Sequence, residues 1–424
     1  MLTSKIKNLT LTKIPYSGIF MLLALFALSS SSCSDDDADA DTVPDVPEEP
    51  GELATGVAII HRIQTPESDT WYLSAHETVP ETYDVSEARE VGQQGANTAI
   101  IDGAVYVANQ GIYTKYVVDR TDLSISIAGS FDLTSVGSTQ ELPDPVLFSE
   151  TEAYLVDYRI GRTIEFNPET MEIVATYDFD PLPIEGWVPF NPTNIDRFTF
   201  GCQQGDDVVI CPISATEFEN WTTPNEAQIL VFDRNTKQVS YSIDDRYVIS
   251  DLFPIQLGDG NYILGPTWYS NLFEVNGDFE AGELVNENLA IRLLRDGSID
   301  PNFDVDYGEI LGVEYIRQTT MAVGNEIVVS YWPEGTDPGD EDFSIFDNPT
   351  EIAIIDLDTE TARPFNALDD YSNWLITGTF EGSNMLIAFG EDGAQNAILR
   401  QNSLEDYTVL VESDGQFREV NQLW

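Results

Sequence analysis

The sequence predicts an all-β protein folded as a β-propeller, because one four-strand pattern recurs six times along its 424 residues. Each repeat reads as a strand, a tight turn, a strand, a variable loop, a strand, a short polar turn and a strand. Repeats of this length built from four short strands are typical of propeller blades. The polar turns carry the following acids and amides, spaced 48, 66, 63, 60 and 46 residues apart: Asp119, Asn167, Asp233, Asp296, Asp356 and Asn402.

The strands of each repeat are rich in Val, Ile, Tyr and Phe, which favour a pleated and half-buried surface. The third strand, polar turn and fourth strand lie in residues 113–133, 163–179, 227–244, 289–300, 351–365 and 396–412. Five of the six turns between the first and second strands contain glycine, which adopts the positive φ of tight hairpins. These glycines are Gly103, Gly205, Gly258, Gly324 and Gly382. No long stretch has a helical period, so we expect almost no helix.

A seventh blade is predicted from the two ends of the domain. Residues 56–63, 70–77 and 83–91 supply three strands, and residues 415–424 supply a fourth, placed innermost. Closing a ring with strands from both ends removes open sheet edges, which otherwise promote aggregation. Six or eight blades are the alternative counts. A β-sandwich or stacked β-domains are the alternative folds, but six in-phase repeats favour the ring.

The first 32 residues are predicted to be a signal peptide. Lys5, Lys7 and Lys13 precede an apolar run at 19–28 that is too short to span a bilayer, and Cys33 follows. This order resembles a bacterial lipoprotein signal, in which Cys33 becomes the lipidated first residue. Ser30 stands where such signals usually have Leu. An ordinary cleaved secretory peptide is the alternative.

Residues 33–54 are predicted to be a disordered tether. Positions 34–52 hold nine acidic residues, three prolines and no aromatic residue. Such a segment cannot bury enough apolar surface to fold. A single propeller domain then spans residues 55–424, which is long enough for a large core.

Charge excludes two classes of partner. The signal peptide holds three of the 19 basic residues and none of the 74 acidic ones, so the mature chain has 16 basic residues and a net charge of −58. Nucleic acids require clustered cations, and adhesion to an anionic membrane does as well. Only Lys115 and Lys237 remain as lysines after Cys33. This composition resembles proteins of salt-loving organisms, although an ordinary acidic surface protein is the alternative.

Few residues suit metal or thiol chemistry. Cys202 and Cys211 would face each other across a turn at Asp206 and Asp207, so they form either a disulfide or two buried thiols. His61 and His76 are the two histidines, which excludes a three-histidine metal site. A histidine on a strand is more often structural than a ligand.

The sequence lacks a phosphate-binding glycine loop, a G-x-S-x-G elbow and an H-E-x-x-H helix. A catalytic pair of carboxylates remains an alternative, because a chain with so many acidic residues gives no sequence signal that would single out such a pair. No resident cofactor is expected. Oxygen ligands in 334–347 and 276–283 could hold Ca²⁺, but their spacing differs from an EF-hand, and solvated acidic loops are the simpler interpretation.

Alternating strand direction places all the variable loops on one end of the ring, where function usually lies. We expect a shared binding funnel there, formed by aromatic side chains with a cation at its wall. The alternative is that each tryptophan pins its own long loop. The candidate binding residues are Trp187, Trp221, Trp268, Trp332, Arg159 and Arg317.

Three segments carry a family resemblance: SSSSCSDDD at 29–37, DTWYLSAHE at 69–77, and TAIIDGAVYVAN at 98–109 with the strand that follows it. Together they resemble an uncharacterised family of Bacteroidota surface lipoproteins predicted to be propellers. The resemblance implies a lipid-anchored protein of the outer membrane, exposed at the cell surface. Some similar lipoproteins are encoded beside TonB-dependent transporters and capture ferric siderophores. An anionic chelate would need a local cation here, such as Arg159 or Arg317.

Three functions follow as hypotheses. The leading one is a non-enzymatic, surface-tethered propeller that binds a small ligand, such as a metal chelate, or an outer-membrane transporter. The second is an extracellular polysaccharide lyase or hydrolase on a propeller scaffold. The third is a structural or adhesive surface protein.

The charge predicts a salt-dependent stability. We expect the melting temperature to rise as NaCl increases from about 0.05 to about 1 M, most steeply at the low end, because the screening length falls to about 3 Å. Thermal melts across this range are the measurement. A flat response would remove the support for a saline habitat.

Overall fold

A computed structural model gives the structure of most of the domain. It describes residues 53, 55–65, 68–93, 97–101, 103–138, 145–180, 195–199, 201–217, 222–223, 227–244, 254–266, 274–275, 288–335, 351–365, 368, 373–389, 396–413 and 416–424. These residues form a seven-bladed β-propeller whose blades are antiparallel sheets, apart from one short parallel strand pair in blade 4. The predicted fold class is therefore confirmed, together with the count of seven blades.

The first three blades follow the chain from its N-terminal end. Blade 1 contains β1 (Val57–Gln64), β2 (Asp69–His76), β3 (Arg89–Gln93) and, innermost, the last strand of the chain, β31 (Gln416–Gln422). Blade 2 contains β4 (Asn97–Ile101), β5 (Ala104–Asn109), β6 (Ile112–Val118) and β7 (Ile125–Asp132). Blade 3 contains β8 (Val146–Ser149), β9 (Glu152–Asp157), β10 (Arg162–Asn167) and β11 (Glu172–Asp178).

Blades 4 and 5 are the irregular ones. Blade 4 contains β12 (Ile195–Thr199), β13 (Gln203–Gln204), β14 (Val208–Glu217), β15 (Thr222–Thr223), β16 (Ala227–Asp233), β17 (Gln238–Asp244) and β20 (Glu274–Val275). Its innermost position is shared by β12 and β13, which both pair with β14. Blade 5 contains β18 (Ile255–Gln256), β19 (Tyr262–Leu264), β21 (Leu289–Leu293) and β22 (Val305–Asp306).

Blades 6 and 7 return to four regular strands. Blade 6 contains β23 (Ile316–Val323), β24 (Glu326–Tyr331), β25 (Glu351–Asp356) and β26 (Thr361–Pro364). Blade 7 contains β27 (Asn373–Phe380), β28 (Ser383–Phe389), β29 (Asn396–Ser403) and β30 (Asp406–Ser413). The sole α-helix of the described chain is Tyr307–Leu311, and 3-10 turns occupy Val85–Glu87 and Leu133–Val136. No helix of this part is long and apolar enough to cross a membrane.

The buried apolar residues of the described chain form seven clusters, one at each junction between neighbouring blades. At the junction of blades 7 and 1, Phe417 and Val420 of β31 pack with Phe380 and Ile387 of blade 7. Sheet faces that pack in this way exclude water from both blades. The core of this protein is therefore a ring of interfaces and not a single centre.

The ring is closed by β31, as predicted. This strand pairs antiparallel with β1 from Val57 to Arg62, with a bulge between Ile60 and His61. Asn421 also joins the two flanking blades: its side chain accepts from the Thr379 N–H at 3.0 Å and donates to the Ile100 carbonyl at 3.0 Å.

The polar turns share one geometry in most repeats. The Asp or Asn side chain accepts a backbone N–H two residues later, as Asp119 does from Thr121 at 2.7 Å and Asn167 does from Glu169 at 2.8 Å. Such Asx turns hold the chain in place before the fourth strand. Asn402 is the exception, because its side chain donates to Thr408 and Asp406.

Two predicted hairpin glycines serve another purpose. Gly103, Gly324 and Gly382 have the expected positive φ, but Gly205 and Gly258 do not. A Cβ on Gly205 would lie 2.2 Å from a backbone oxygen of the neighbouring blade, and one on Gly258 would lie 2.8 Å from the Gly324 Cα. These two glycines allow close approach between blades. The predicted strand at 83–91 also starts later, because Asp84 caps the 3-10 turn first.

Candidate functional site

The longer connections lie on one end of the ring, which we call the variable face. They join the second to the third strand of a blade, or the fourth strand to the next blade, and antiparallel pairing sends both kinds to the same end. The strands that flank all four candidate tryptophans end at this face. Trp187, Trp221 and Trp268 themselves lie outside the described residues.

A cleft of about 490 Å³ opens on the variable face between blades 5 and 6. Trp332 lies in its wall and is only 1% exposed, and its backbone N–H donates to the Tyr315 carbonyl at 3.2 Å. The lining comprises Gly308, Glu309, Gly312, Val313, Glu314, Tyr315, Trp332, Pro333, Glu334 and Gly335. In this structure Trp332 is mainly a packing residue that supports the cleft.

One wall of the cleft is a capped helical turn. Asp306 accepts the Glu309 N–H at 2.9 Å at its start, and Gly312 ends it with a φ of 71°. The Gly312 N–H donates to the Gly308 carbonyl at 2.7 Å. An acidic cap and a terminal left-handed glycine are favourable helix ends. The wall is therefore preformed by local interactions.

The chemistry of the cleft is acidic and aromatic. Glu309, Glu314 and Glu334 are exposed, and Tyr315 is partly exposed, whereas none of the ten lining residues is basic. Carboxylates beside aromatic rings attract cations, through charge and through the ring quadrupole. The lining therefore suits a cationic or neutral ligand better than an anionic one.

Arg317 lies in the same blade as Trp332, on the adjacent strand. It is the second residue of β23, in a bulge between Ile316 and Gln318, and Ile316 pairs with Tyr331. Burial lowers the pKa of Arg317. Strand pairing thus brings Arg317 and Trp332 to the same end of blade 6.

Arg159 lies on the variable face of blade 3, in the connection after β9, and its side chain is exposed. Asp157 accepts the Arg159 N–H at 3.2 Å and the Ile160 N–H at 3.4 Å, which shapes this turn. Because blades 3 and 6 are separated around the ring, the structure does not join Arg159 to the Trp332 cleft.

Cys202 and Cys211 form a disulfide in blade 4, with a sulfur–sulfur distance of 2.03 Å and a Cα–Cα distance of 4.3 Å. The two residues face each other next to the Gln203–Ile210 pair, as the predicted turn requires. Both cysteines are buried at the junction of blades 3 and 4. The buried disulfide therefore has a structural role at this junction.

The histidines lie in an aromatic cluster of blade 1. The His61 ring is 4.9 Å from the Tyr83 ring and 5.3 Å from the Phe417 ring, and His76 Nε2 lies 2.9 Å from Ser74 Oγ. Burial, with a smaller effect of the Arg418 charge, lowers the pKa of His61 to about 4. Burial also lowers the pKa of His76. Both rings therefore pack as neutral groups at neutral pH.

The prediction missed one charged group on the variable face. Arg62 and Asp69 form a buried ion pair, and Arg418 lies beside them above the ring of Trp71. Their strands come from opposite ends of the chain. The signal available in the sequence was an arginine inside each of two strands, Arg62 in 57–64 and Arg418 in 416–422.

Within the described residues, no group of three or more metal-ligating side chains occurs. Of the two segments considered for Ca²⁺, 276–283 lies outside the described part of the chain, and so does 334–347 apart from Glu334 and Gly335.

Comparison with known proteins yields structural likenesses only. No family model matches the chain, and no curated protein does. Solved structures similar to it include a protein from Lactobacillus plantarum, with 9% identity, a TM-score of 0.45, and coverage of 87% of this chain and 99% of that one. Apo AztD from Citrobacter koseri has 9% identity, a TM-score of 0.45 and coverage of 87% and 97%. The β-propeller domain of the trilobed protease from Pyrococcus furiosus has 8% identity, a TM-score of 0.43 and coverage of 84% and 92%.

The low pKa of His61 predicts a loss of stability in mild acid. The unfolded chain binds a proton at His61 below pH 6.5, whereas the folded chain does not until about pH 4. The contribution of neutral His61 to the free energy of unfolding should therefore be fully present above pH 6.5. Below pH 6.5 it should fall by about 1.4 kcal/mol per pH unit. In urea unfolding at pH 7 and pH 5, the wild type should lose about 2 kcal/mol more than His61→Phe. An equal loss in both proteins would show that folded His61 does not resist protonation.

Proposed function

We propose that this protein is a non-enzymatic binding propeller, tethered at the cell surface, whose variable face binds a small organic ligand. The observation that carries the proposal is the preformed cleft of about 490 Å³ between blades 5 and 6. Concave sites of this size, with aromatic walls and a few charged groups, are typical of small-ligand binding.

The charge of the cleft selects the ligand class. With Glu309, Glu314 and Glu334 exposed around Tyr315, a ligand that carries an ammonium or similar cationic group would be attracted. A ferric catecholate is anionic and would be repelled at this position. We therefore favour a cationic or neutral amphiphilic ligand for the cleft over an anionic metal chelate.

The binding test uses benzyltrimethylammonium as the probe and the full chain purified in detergent. The triple change Glu309→Gln, Glu314→Gln and Glu334→Gln should weaken binding by about tenfold, because it removes the attracting charges and leaves the walls in place. Isothermal titration calorimetry measures the affinity. Glu412→Gln, which removes an exposed carboxylate of β30 in blade 7, is the matched control and should bind as the wild type does.

If the triple variant and the wild type bind the cation equally, or neither binds it, the cleft is not the site. As an independent test of the cleft, untargeted mass spectrometry should find a molecule that co-purifies with the wild type but not with the triple variant, and finding none would count against the cleft.

We further propose that Cys33 is lipidated and that the protein lies on the outer membrane, facing outward, with a TonB-dependent transporter as its partner. The basic residues, the apolar run and Cys33 support the anchor, and the acidic tether of 34–52 supports surface export by resemblance.

Replacing Cys33 by Ala should leave an unprocessed precursor that takes up no labelled palmitate, whereas the wild type should be labelled and retained in the membrane fraction. Palmitate uptake by Cys33→Ala would contradict the anchor. Cross-linking on intact cells should recover a transporter with the wild type only, and recovery of none would remove that partner from the proposal.

A further inference from the structure

The cation cluster at the junction of blades 1 and 2 has more positive than negative charge. Arg62 Nε donates to Asp69 Oδ1 at 2.6 Å and Arg62 Nη2 to Asp69 Oδ2 at 2.5 Å, so this carboxylate is engaged on both oxygens. Arg62 is 4% exposed and Asp69 9% exposed. Arg418 lies near this pair, within reach of the Asp69 charge, but forms no ion pair of its own among the described residues. Its guanidinium donates to the side chain of Gln416. Asp69 is thus the acid that both arginines share, while the neighbouring Glu419 accepts the Ile100 N–H of blade 2 at 2.6 Å.

Arg418 forms no ion pair with another described residue, although the protein is strongly acidic. Among the described residues, seven other arginines form ion pairs with Asp or Glu: Arg62, Arg162, Arg234, Arg292, Arg295, Arg363 and Arg400. The Nε of Arg418 is shielded from water and has no hydrogen-bond partner in this part of the chain. A shielded guanidinium donor without an acceptor is costly, so its presence indicates an acceptor beyond the described residues.

The surroundings of Arg418 hold its guanidinium in a defined orientation. Its Cζ lies 5.8 Å from the centre of the Trp71 ring, and that of Arg62 lies 5.4 Å from the same ring. Trp71 Nε1 is also buried without a partner. Burial, with a smaller effect of the neighbouring Arg62 charge, lowers the pKa of Arg418 to about 9. An incoming negative charge would compensate both the desolvation and the repulsion.

The cluster can be reached from solvent. Arg418 is the third residue of β31, the innermost strand of blade 1, and innermost strands border the central channel of a propeller. Its side chain is partly exposed. The start of β31 lies on the variable face, because the connection from β30 of blade 7 arrives there.

We propose that Arg418, with Gln416, Trp71 and the Arg62–Asp69 pair around it, forms a second binding site on the variable face that takes a small oxyanion, a carboxylate or phosphate group. The planar guanidinium binds such groups with paired N–H donors, which lysine cannot imitate. This site is separate from the acidic cleft between blades 5 and 6 and does not depend on it.

The test is calorimetric titration of the full chain in detergent with sodium acetate and, separately, sodium phosphate. The ionic strength is held constant with NaCl, so that general screening of the acidic surface does not contribute. We expect saturable one-site binding of at least one anion, with the tighter anion identifying the group that the natural ligand carries. Arg418→Gln should weaken binding by about tenfold or more, since it removes a charge-assisted hydrogen bond.

Arg89→Gln is the matched control. Arg89 also lies at the junction of blades 1 and 2, over the Tyr116 ring at 5.4 Å, and donates to the Ile125 carbonyl. Its replacement should leave anion binding unchanged. Thermal melts verify folding, and if Arg418→Gln does not fold, Arg418→Lys decides: reduced affinity supports the proposal. No saturable binding in the wild type, or equal affinity in a folded Arg418 variant, would overturn it.

Discussion

Apolar packing between neighbouring blades is the interaction on which the whole ring depends. Every described blade buries side chains against the next one, and the last junctions form only when β31 reaches blade 1. Phe417 and Val420 complete the junction with blade 7, and Leu423 completes the junction with blade 2. Since β31 also covers the free edge of β1, closure at once removes an aggregation-prone edge and buries the remaining apolar surface.

In this closed ring, the turns that stabilise the blades lie on one end, and the candidate binding sites lie on the other. The end of the ring with short turns is held by local interactions, such as the Asx turn at Asp233, which accepts from Asn235 and Thr236. Insertions there would disturb the strand register. Longer connections lie on the variable face, which carries the cleft at Trp332 and also the start of β31 with Arg418. The two proposed sites, which differ in charge, therefore lie on the same face.

The two candidate sites differ in how their charge compares with the acidic character of the whole chain. With 74 acidic residues in the chain, the exposed glutamates around the blade 5–6 cleft follow the average character of the surface. The partly buried Arg418, which has no ion pair among the described residues, departs from it. Other arginines of the described chain do have an acidic partner, as Arg162 has Asp178 and Arg292 has Asp259. The proposed oxyanion would supply an acceptor for Arg418. Because the ligand proposed for the cleft is cationic or neutral, the two proposed sites would not compete for one ligand.

The sequence by itself determined the propeller, the blade count, the closure by both ends and the facing positions of Cys202 and Cys211. Strand alternation, turn residues and repeat spacing depend on neighbours in the chain, so they are readable from it. The tertiary structure alone decided that Gly205 and Gly258 serve contacts between blades, and that Trp332 is buried in a cleft wall. It alone placed Arg418 over Trp71, because that contact joins the two ends of the chain next to a bulge, and a bulge changes side-chain direction in a way that alternation does not predict.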